Sequence, residues 1–287
     1  MAEPAIEAEV LLRHTLQCDR TALYTRWEAP MDPSALVHYR RFLEIRTTGR
    51  PVPYITGERE FMSLSFVVDE RVMIPRPETE VLVEFLIEQF GTSETRKRGN
   101  AEGRTDKHVG ERELVFVDVG TGSGCIAVSL AHYLPRSRVY ATDISAAALD
   151  VAAQNARCHH VADRVVLLEG DLLSPLPRSL DGQVRAIASN PPYVPLGQAP
   201  TLAREIREFE PADAVFSPAE GTVIHSRLIE QAPRRLSGGG ILAMEVAAGQ
   251  AQSVRDLVAR DNRHSVARVL TDLSGIERVI VAKRRQE

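Results

Sequence analysis

The stretch that decides the fold is Glu113–Gly124, which reads ELVFVDVGTGSG. An apolar run of strand character ends there in a glycine-rich turn, and a helical segment, CIAVSLAHYL, follows directly. Glycines between a strand and a helix let the backbone turn tightly and approach a ligand, whose polar end meets the free N–H groups of the helix N-terminus. The predicted ligand-binding residues of this turn are Gly120, Thr121, Gly122, Ser123 and Gly124.

Strands and helices alternate from this stretch towards the C-terminus. The segments SRVYATD, RVVLLEGD and VRAIASN have strand character, and apolar or alanine-rich helical segments lie among them. This alternation predicts an α/β fold with a doubly wound, Rossmann-like sheet, in which ligands bind beyond the carboxyl ends of the strands where the strand order reverses. The last two strands, HSVARVLTDL and IERVIVAKR, are linked only by Ser274-Gly275, so we expect an antiparallel last strand.

Two ligand classes suit the glycine turn, a dinucleotide and S-adenosylmethionine. Asp143 ends the second strand roughly 20 residues further on, where a carboxylate can accept both hydroxyls of a ribose. The run from Gly122 to Ala127 even satisfies a relaxed dinucleotide fingerprint. We expect Asp118 to point at the position of a diphosphate, where it would instead suit the ammonium group of a methionine. This favours S-adenosylmethionine, and the simpler alternative is that the glycines only shape a turn.

The third strand ends in Gly170-Asp171-Leu172. A carboxylate at Asp171 can accept the amino group of an adenine, and Leu172 can pack against the ring. The alternative is that Asp171 only caps the turn that follows.

The fourth strand ends in Ser189-Asn-Pro-Pro-Tyr193, where a rigid bend presents one carboxamide and one aromatic ring. An amide nitrogen is a poor nucleophile, so a methyltransferase acting on it must orient the NH₂ group by accepting its hydrogens. The Asn190 carbonyl oxygen and the backbone carbonyl of Pro191 are the expected acceptors. Pro191 and Pro192 fix the chain direction without competing donors, and Tyr193 packs on the planar group and excludes water. The alternative is that these residues only end the strand, with the prolines forming the turn that follows it.

The rest of the chain predicts a second, smaller domain. Residues 1–60 have helical spacing of apolar residues and are expected to form a substrate-recognition domain. Residues 61–90 are expected to contain a β-hairpin, with strands at Leu64–Val68 and Val72–Ile74 around Asp69-Glu70, and an amphipathic helix. Residues 91–113 are polar and are predicted to be a flexible insertion, and residues 114–287 form the ligand-binding catalytic domain.

Composition limits the classes of function. A net charge of −4 argues against a protein that grips long nucleic acid, which requires a strongly basic surface. Three cysteines without a CxxC pair predict neither disulfides nor a zinc site, and the neighbouring Cys158, His159 and His160 point apart on a helix. We expect no metal. The acidic N-terminus and the absence of a long apolar run predict a cytoplasmic protein without a membrane span.

Several further motifs together resemble the HemK/PrmC family of protein-(glutamine-N5) methyltransferases. They are Tyr54–Gly57, Glu60-Phe61, Ile74–Glu80, the glycine turn, TDIS, GDLL, SNPPYVP, Phe209-Glu-Pro211, GGGILAMEVAAGQ and DLSGIERV. The resemblance runs from Glu7 to Ala282. It implies S-adenosylmethionine as methyl donor and the glutamine of the GGQ motif of peptide chain release factors as substrate, in translation termination. It also implies donor contacts by the loop, Asp143, Leu172 and Asn190, and substrate contacts by Asn190–Tyr193.

The NPPY tetrapeptide alone leaves alternatives, since adenine-N6 nucleic-acid methyltransferases share it. A donor-binding protein without catalysis is the other alternative. The sequence also departs from the family pattern: Met62 replaces a usual tryptophan and Leu172 an aromatic residue, so we expect weaker stacking on adenine. The N-terminal domain is expected to be reduced by about one helix relative to the resembled family.

Overall fold

The computed structural model describes residues 4–91, 113–217 and 221–286. Apart from its two end residues, the predicted insertion at 91–113 lies outside the described residues. The helices are α1 (Pro4–Leu16), α2 (Arg20–Thr25), α3 (Pro33–Thr47), α4 (Val52–Thr56), α5 (Pro77–Phe90), α6 (Cys125–Tyr133), α7 (Ala146–Cys158), α8 (Arg204–Phe209), α9 (Ala212–Val215), α10 (Val223–Arg235) and α11 (Ala251–Asp261). The strands are β1 (Glu58–Phe61), β2 (Leu64–Val67), β3 (Leu114–Val119), β4 (Ser137–Asp143), β5 (Val165–Glu169), β6 (Val184–Ser189), β7 (Val194–Pro195), β8 (Phe216–Ser217), β9 (Leu236–Glu245), β10 (His264–Thr271) and β11 (Glu277–Arg284).

The N-terminal segment is helical, as its sequence predicts. Asp19 caps α2 by accepting the Ala22 N–H, and Asp32 caps α3 by accepting the Ser34 N–H, which satisfies donors that a helix N-terminus leaves unpaired. Arg46 on α3 donates to Glu7 on α1 and also pairs with Glu205 on α8. The Arg46 guanidinium therefore joins these helices to the larger part of the chain.

The predicted hairpin exists but is displaced along the sequence. β1 pairs with β2 in antiparallel register, with Phe61 opposite Leu64. Met62 and Ser63 form the turn with φ of 51° and 57°, a conformation that usually selects glycine or asparagine. The prediction of strands around Asp69-Glu70 was therefore wrong, because the turn residues carry no glycine signal and the acidic pair resembles a turn.

The main sheet has seven strands in the order β10-β11-β9-β6-β3-β4-β5. The chain moves from β3 outwards to β5 and then returns to place β6 beside β3, in parallel register. β11 is antiparallel to both of its neighbours, β9 and β10. The predicted doubly wound fold with an antiparallel last strand is confirmed, and the strand order reverses between β3 and β6.

Helices cover both faces of this sheet. Phe116 of β3 points into a core shared with α5, α6 and the hairpin, whereas its neighbour Val117 points into a core shared with α10 and α11. Alternate residues of a strand face opposite sides, so a strand buried on both faces reads as a continuous apolar run. Removing this surface from water is the main stabilising term for the fold.

None of the helices in the described part of the chain has the length and apolar character needed to cross a membrane.

Candidate active site

A cleft of about 430 Å³ opens at the carboxyl ends of the central strands, where the strand order reverses. It is bordered by the loops that follow β3, β4, β5 and β6, by the start of α5, and by the segment around α9. The predicted site residues that line it are Gly120, Thr121, Gly122, Ser123, Asp143, Asp171, Leu172, Asn190 and Pro192. Three other predicted site residues, Gly124, Pro191 and Tyr193, are not among the residues that line it.

The glycine loop (Gly120–Gly124) has two kinds of glycine. Gly120 and Gly122 have φ of 71° and 53°, and a Cβ atom on either would meet nothing within 4 Å. Gly124 also has a positive φ, but a Cβ atom there would come within 3.1 Å of the Ala152 Cβ on α7. The first two glycines therefore leave the backbone bare beside the cleft, and the third allows α7 to pack closely.

Two side chains hold the loop in place. Asp143 accepts the Gly122 N–H at 2.9 Å through Oδ2 and the Ser145 N–H at 3.0 Å through Oδ1. Asn155, fully buried in α7, donates to the Ser123 carbonyl at 2.8 Å and also bonds the backbone of Val67 in the hairpin. Each Asp143 oxygen has accepted one hydrogen and keeps a further lone pair. The predicted contact of Asp143 with ribose hydroxyls stays a prediction that this geometry permits.

Asp118 does not face the cleft, so its predicted role was wrong. It is fully buried and accepts the Thr121 hydroxyl at 2.6 Å and the Ala127 N–H at 3.1 Å. Burial raises the pKa of its carboxyl to about 7. Asp118 therefore braces the loop and the start of α6 from inside.

Another observation now separates the two ligand classes. Among the described lining residues the carboxylates are Asp143, Asp171 and Asp213, and they stand against one guanidinium, that of Arg71. Arg71 itself pairs with Asp69, and Asp171 pairs with Arg227, so the excess negative charge of the described lining comes from Asp143 and Asp213. A cleft of this charge suits a cationic ligand and opposes a diphosphate.

The loop that follows β5 contributes apolar surface to the cleft. Leu172 is buried, has φ of 50° and borders the cleft, while the Asp171 carboxylate pairs with Arg227 on α10. Ile144, which follows Asp143, is 60% exposed at the edge of the cleft and was not anticipated. Met62, the position of the family's usual tryptophan, lies in the hairpin turn and packs against the core. The expectation that Met62 weakens stacking on adenine was therefore wrong.

Asn190 and Tyr193 belong to one buried hydrogen-bond network. Asn190 Nδ2 donates to Thr79 Oγ1 at 3.1 Å, Thr79 donates to Glu245 Oε2 at 2.6 Å, and the Tyr193 hydroxyl donates to Glu245 Oε1 at 3.1 Å. The backbone carbonyl of Tyr193 accepts Gln250 Nε2 at 3.0 Å. The roles predicted for Asn190–Tyr193 in substrate binding remain predictions.

Thr79 and Glu245 were missed by sequence reasoning. Both residues lie in motifs that carry the family resemblance, Thr79 in Ile74–Glu80 and Glu245 in GGGILAMEVAAGQ, but the sequence analysis gave neither of them a role. A carboxyl group at the buried end of a central strand is a signal in itself, because such a group needs partners.

Nearby, Arg76 pairs with buried Glu210, which ties the start of α5 to the segment preceding α9.

Other reactive side chains lie apart from this chemistry. Cys125 is buried at the start of α6, and burial raises the pKa of its thiol to about 12. His159 Nε2 contacts the Ser65 carbonyl at 2.7 Å. Within residues 4–91, 113–217 and 221–286 no three metal-ligating side chains converge.

Comparison with known proteins identifies the family. Residues 1–57 match the model of the PrmC N-terminal domain, and residues 107–209 match that of the methyltransferase small domain. The release factor glutamine methyltransferase of Moorella thermoacetica is 41% identical over 284 residues, covering 99% of this chain and 93% of that relative. That of Chlorobaculum tepidum is 38% identical over 277 residues, covering 96% and 89%. The chain belongs to the release factor glutamine methyltransferase family.

The fold of this family member agrees with a distant solved structure. A methyltransferase from Pyrococcus furiosus superposes with a TM-score of 0.53 at 14% identity, covering 85% of this chain and 98% of that chain. This likeness supports the methyltransferase fold alone. The predicted fold class and the family resemblance are confirmed, and the methyl donor is S-adenosylmethionine.

The cleft of this release factor glutamine methyltransferase family member fits the donor. The bare backbone at Gly120 and Gly122 permits close approach of the methionine part, and Asp143 retains lone pairs for the ribose hydroxyls. Ile144 and Leu172 offer apolar surface to an adenine ring. The acidic lining suits the positive charges of the sulfonium and ammonium groups.

Proposed function

We propose that this chain methylates the side-chain amide nitrogen, N5, of the glutamine in the GGQ motif of peptide chain release factors. The observation that carries the proposal is the position of Asn190. Its carboxamide borders the same cleft as the glycine loop and Asp143, at the junction of β3 and β6. The curated relatives are named for this activity.

The chemistry requires orientation more than proton transfer. The lone pair of an amide nitrogen is delocalised into its carbonyl, and a general base with a physiological pKa cannot deprotonate the neutral amide. When bound, S-adenosylmethionine supplies an electrophilic methyl on its sulfonium. In a balanced transfer the substrate nitrogen would take the methyl group, the electron pair of the broken C–S bond would stay on the donor's sulfur, and the amide would lose one proton to solvent. The enzyme gains most by aligning the amide lone pair with the C–S bond.

Asn190 and Pro191 supply the two acceptors for the substrate NH₂ group. Because Asn190 Nδ2 is already bonded to Thr79, its Oδ1 remains to accept one hydrogen of the substrate. The Pro191 carbonyl accepts the other, and neither Pro191 nor Pro192 adds an N–H that would compete for the substrate oxygen. Tyr193 is half-buried behind this pair and keeps water from the amide.

Recognition of the release factor falls to the helical N-terminal domain. Tyr24 and Trp27 are 53% and 66% exposed, and their rings stack with centroids 5.7 Å apart. Exposed aromatic side chains are frequent energetic anchors of protein interfaces. The aromatic pair supports a protein partner that is held transiently, and the net charge of −4 speaks against a stable nucleic-acid partner.

The test is methylation of a purified release factor by the full chain with labelled S-adenosylmethionine, followed by mass spectrometry of the GGQ peptide. We expect one methyl group on the glutamine and none on a release factor with that glutamine replaced by alanine. Adenine-containing DNA and RNA oligonucleotides serve as a parallel substrate set. Methylation of adenine with an unmodified release factor would favour the nucleic-acid methyltransferase alternative and contradict the proposal.

A further inference from the structure

A buried carboxyl group links two elements that border the predicted amide site, the start of α5 and the loop after β6. Glu245 is the last residue of β9, and its side chain is 1% exposed. Its carboxylate accepts the hydroxyl of Thr79 from α5 and the hydroxyl of Tyr193 from the loop after β6. His225 from α10 bonds the Glu245 backbone carbonyl at 2.7 Å and so fixes the strand end. Glu245 does not border the cleft and therefore acts through its two partners.

The direction of the hydrogen bonds in this network decides which end of Asn190 faces the cleft. A threonine hydroxyl has one hydrogen, and here it is given to Glu245 Oε2. Thr79 Oγ1 can then only accept, and its donor is Asn190 Nδ2. One of the two Asn190 Nδ2 hydrogens is thereby committed, which turns the NH₂ end of the carboxamide towards Thr79 and leaves the carbonyl oxygen for the substrate.

The opposite direction would disable the site. If Glu245 donated to Thr79, the threonine hydroxyl would be free to donate to Asn190, and the carboxamide would turn its oxygen towards Thr79. Asn190 would then present an NH₂ group to the NH₂ group of the substrate, and two donors repel each other.

We propose that Glu245 and Thr79 are positioning residues that fix the orientation of the Asn190 carboxamide and of Tyr193. The proposal rests on the proposed function, because it assumes a substrate amide that Asn190 must accept. Thr79 borders the cleft and Glu245 does not, but the role proposed for each is exerted through Asn190 and Tyr193 and not on the reacting atoms.

The charge of Glu245 makes the network sensitive to pH. Burial and, to a smaller extent, the charge of Glu78 raise the pKa of its carboxyl, whereas the bonds from Thr79 and Tyr193 and the charge of Arg278 lower it; together these effects place the pKa at about 7. Only the ionised carboxylate accepts both hydroxyls. At saturating substrates kcat is therefore expected to fall as the pH drops below about 7, approaching tenfold per pH unit for one proton.

The decisive comparison is between Thr79→Val and Thr79→Ser. Valine keeps the shape but cannot bond, so we expect kcat to fall ~10–100-fold in single-turnover methylation of a release factor. Serine keeps the hydroxyl and should recover most of the rate. The dissociation constant for S-adenosylmethionine, from calorimetry, should change little. The melting temperature of Thr79→Val should fall modestly, because valine leaves the buried Glu245 Oε2 and Asn190 Nδ2 without this partner, so the rates are compared at a temperature where every variant is folded. Thr271→Val, exposed in β10, is the matched control and should match the wild type.

Glu245→Gln provides the second measurement. Glutamine keeps one acceptor but turns an N–H group towards one hydroxyl, so we expect a lower kcat and loss of its dependence on pH near 7. Wild-type kcat in a folded Thr79→Val protein would overturn the proposal, as would an equal fall for valine and serine. A fall in donor affinity that accounts for the lost rate would also overturn it. If the wild-type protein itself modifies no release factor, the proposed function fails instead.

Discussion

Asn190 is the residue on which the proposed chemistry depends most directly. If its oxygen orients the substrate amide, Asn190→Ala removes an interaction at the reacting centre, and kcat should fall ~10²–10³-fold. Asn190→Asp keeps an acceptor but loses the donor to Thr79, so its rate should lie between those of the alanine variant and the wild type. Single-turnover methylation measures all three.

Donor binding supplies the control for the Asn190 series. Calorimetry should find nearly unchanged affinity for S-adenosylmethionine in Asn190→Ala and clearly weaker affinity in Asp143→Ala, which loses the carboxylate beside the loop. A folded Asn190→Ala protein with near-normal kcat would show that Asn190 only ends the strand and does not orient the substrate amide.

Asp118 predicts a pH dependence of stability. Its pKa in the folded protein, about 7, lies above the ordinary aspartate value of 3.8, so between these two pH values the folded state holds a proton that the unfolded state releases. Its contribution is complete below about pH 4 and is lost as the pH rises through 7, at about 1.4 kcal/mol per pH unit. Asp118→Asn should flatten the fall of the unfolding free energy between pH 5 and pH 7 in urea titrations. An unchanged slope would mean that the carboxyl is ionised when folded.

Residues at strand ends could be predicted from the sequence, because strand order alone brings them to one edge of the sheet. This is why the glycine loop, Asp143, Leu172 and Asn190 were found. The direction of a buried side chain is set by packing with distant elements, which explains the error at Asp118. Thr79 and Glu245 are 166 residues apart, and nothing local links them.

At the scale of elements, the β1–β2 hairpin is the feature that the sequence misplaced. Periodicity located a strand at Leu64–Val67, but the choice of partner depended on recognising a turn. The Met62 backbone binds Glu80 and the Tyr133 hydroxyl, and these contacts stabilise a turn that its own residues disfavour. Tertiary contacts therefore overrode local preference.

The hairpin turn provides a stability prediction. Ser63 has φ of 57°, a region that costs a β-branched residue more than it costs serine. Ser63→Val should lower the unfolding free energy by about 1–2 kcal/mol, whereas Ser63→Gly should leave it equal or raise it by up to about 1 kcal/mol. Thermal unfolding measures both, and equal melting temperatures for the two variants would contradict the conformation of the turn.

At the scale of the whole molecule, binding and chemistry are predicted to reside in separate regions. Trp27 lies on the helical domain, far along the sequence from the loops of the cleft. Trp27→Ala should therefore raise KM for the release factor roughly 5–30-fold, the effect of losing about 1–2 kcal/mol, with kcat unchanged.

The matched control for Trp27 is Leu273→Ala, which removes an exposed apolar side chain from the β10–β11 connection. It should leave both constants unchanged. An unaltered KM in Trp27→Ala would contradict the proposal that the exposed aromatic pair contacts the release factor.

The span between Thr79 and Glu245 has a consequence for biosynthesis. The glycine loop, Asp143 and Asn190 are synthesised in that order. Strand β9, which ends at Glu245 and pairs with β6, is synthesised after all of them. Closing so long a stretch of chain is a slow step in folding, because its entropy cost precedes any stabilising contact. A nascent or proteolytically shortened chain that ends before β9 therefore contains every loop residue predicted to contact the donor and still lacks the support that Glu245 gives to Asn190. Competence for methyl transfer thus arrives only when nearly the whole polypeptide has been made.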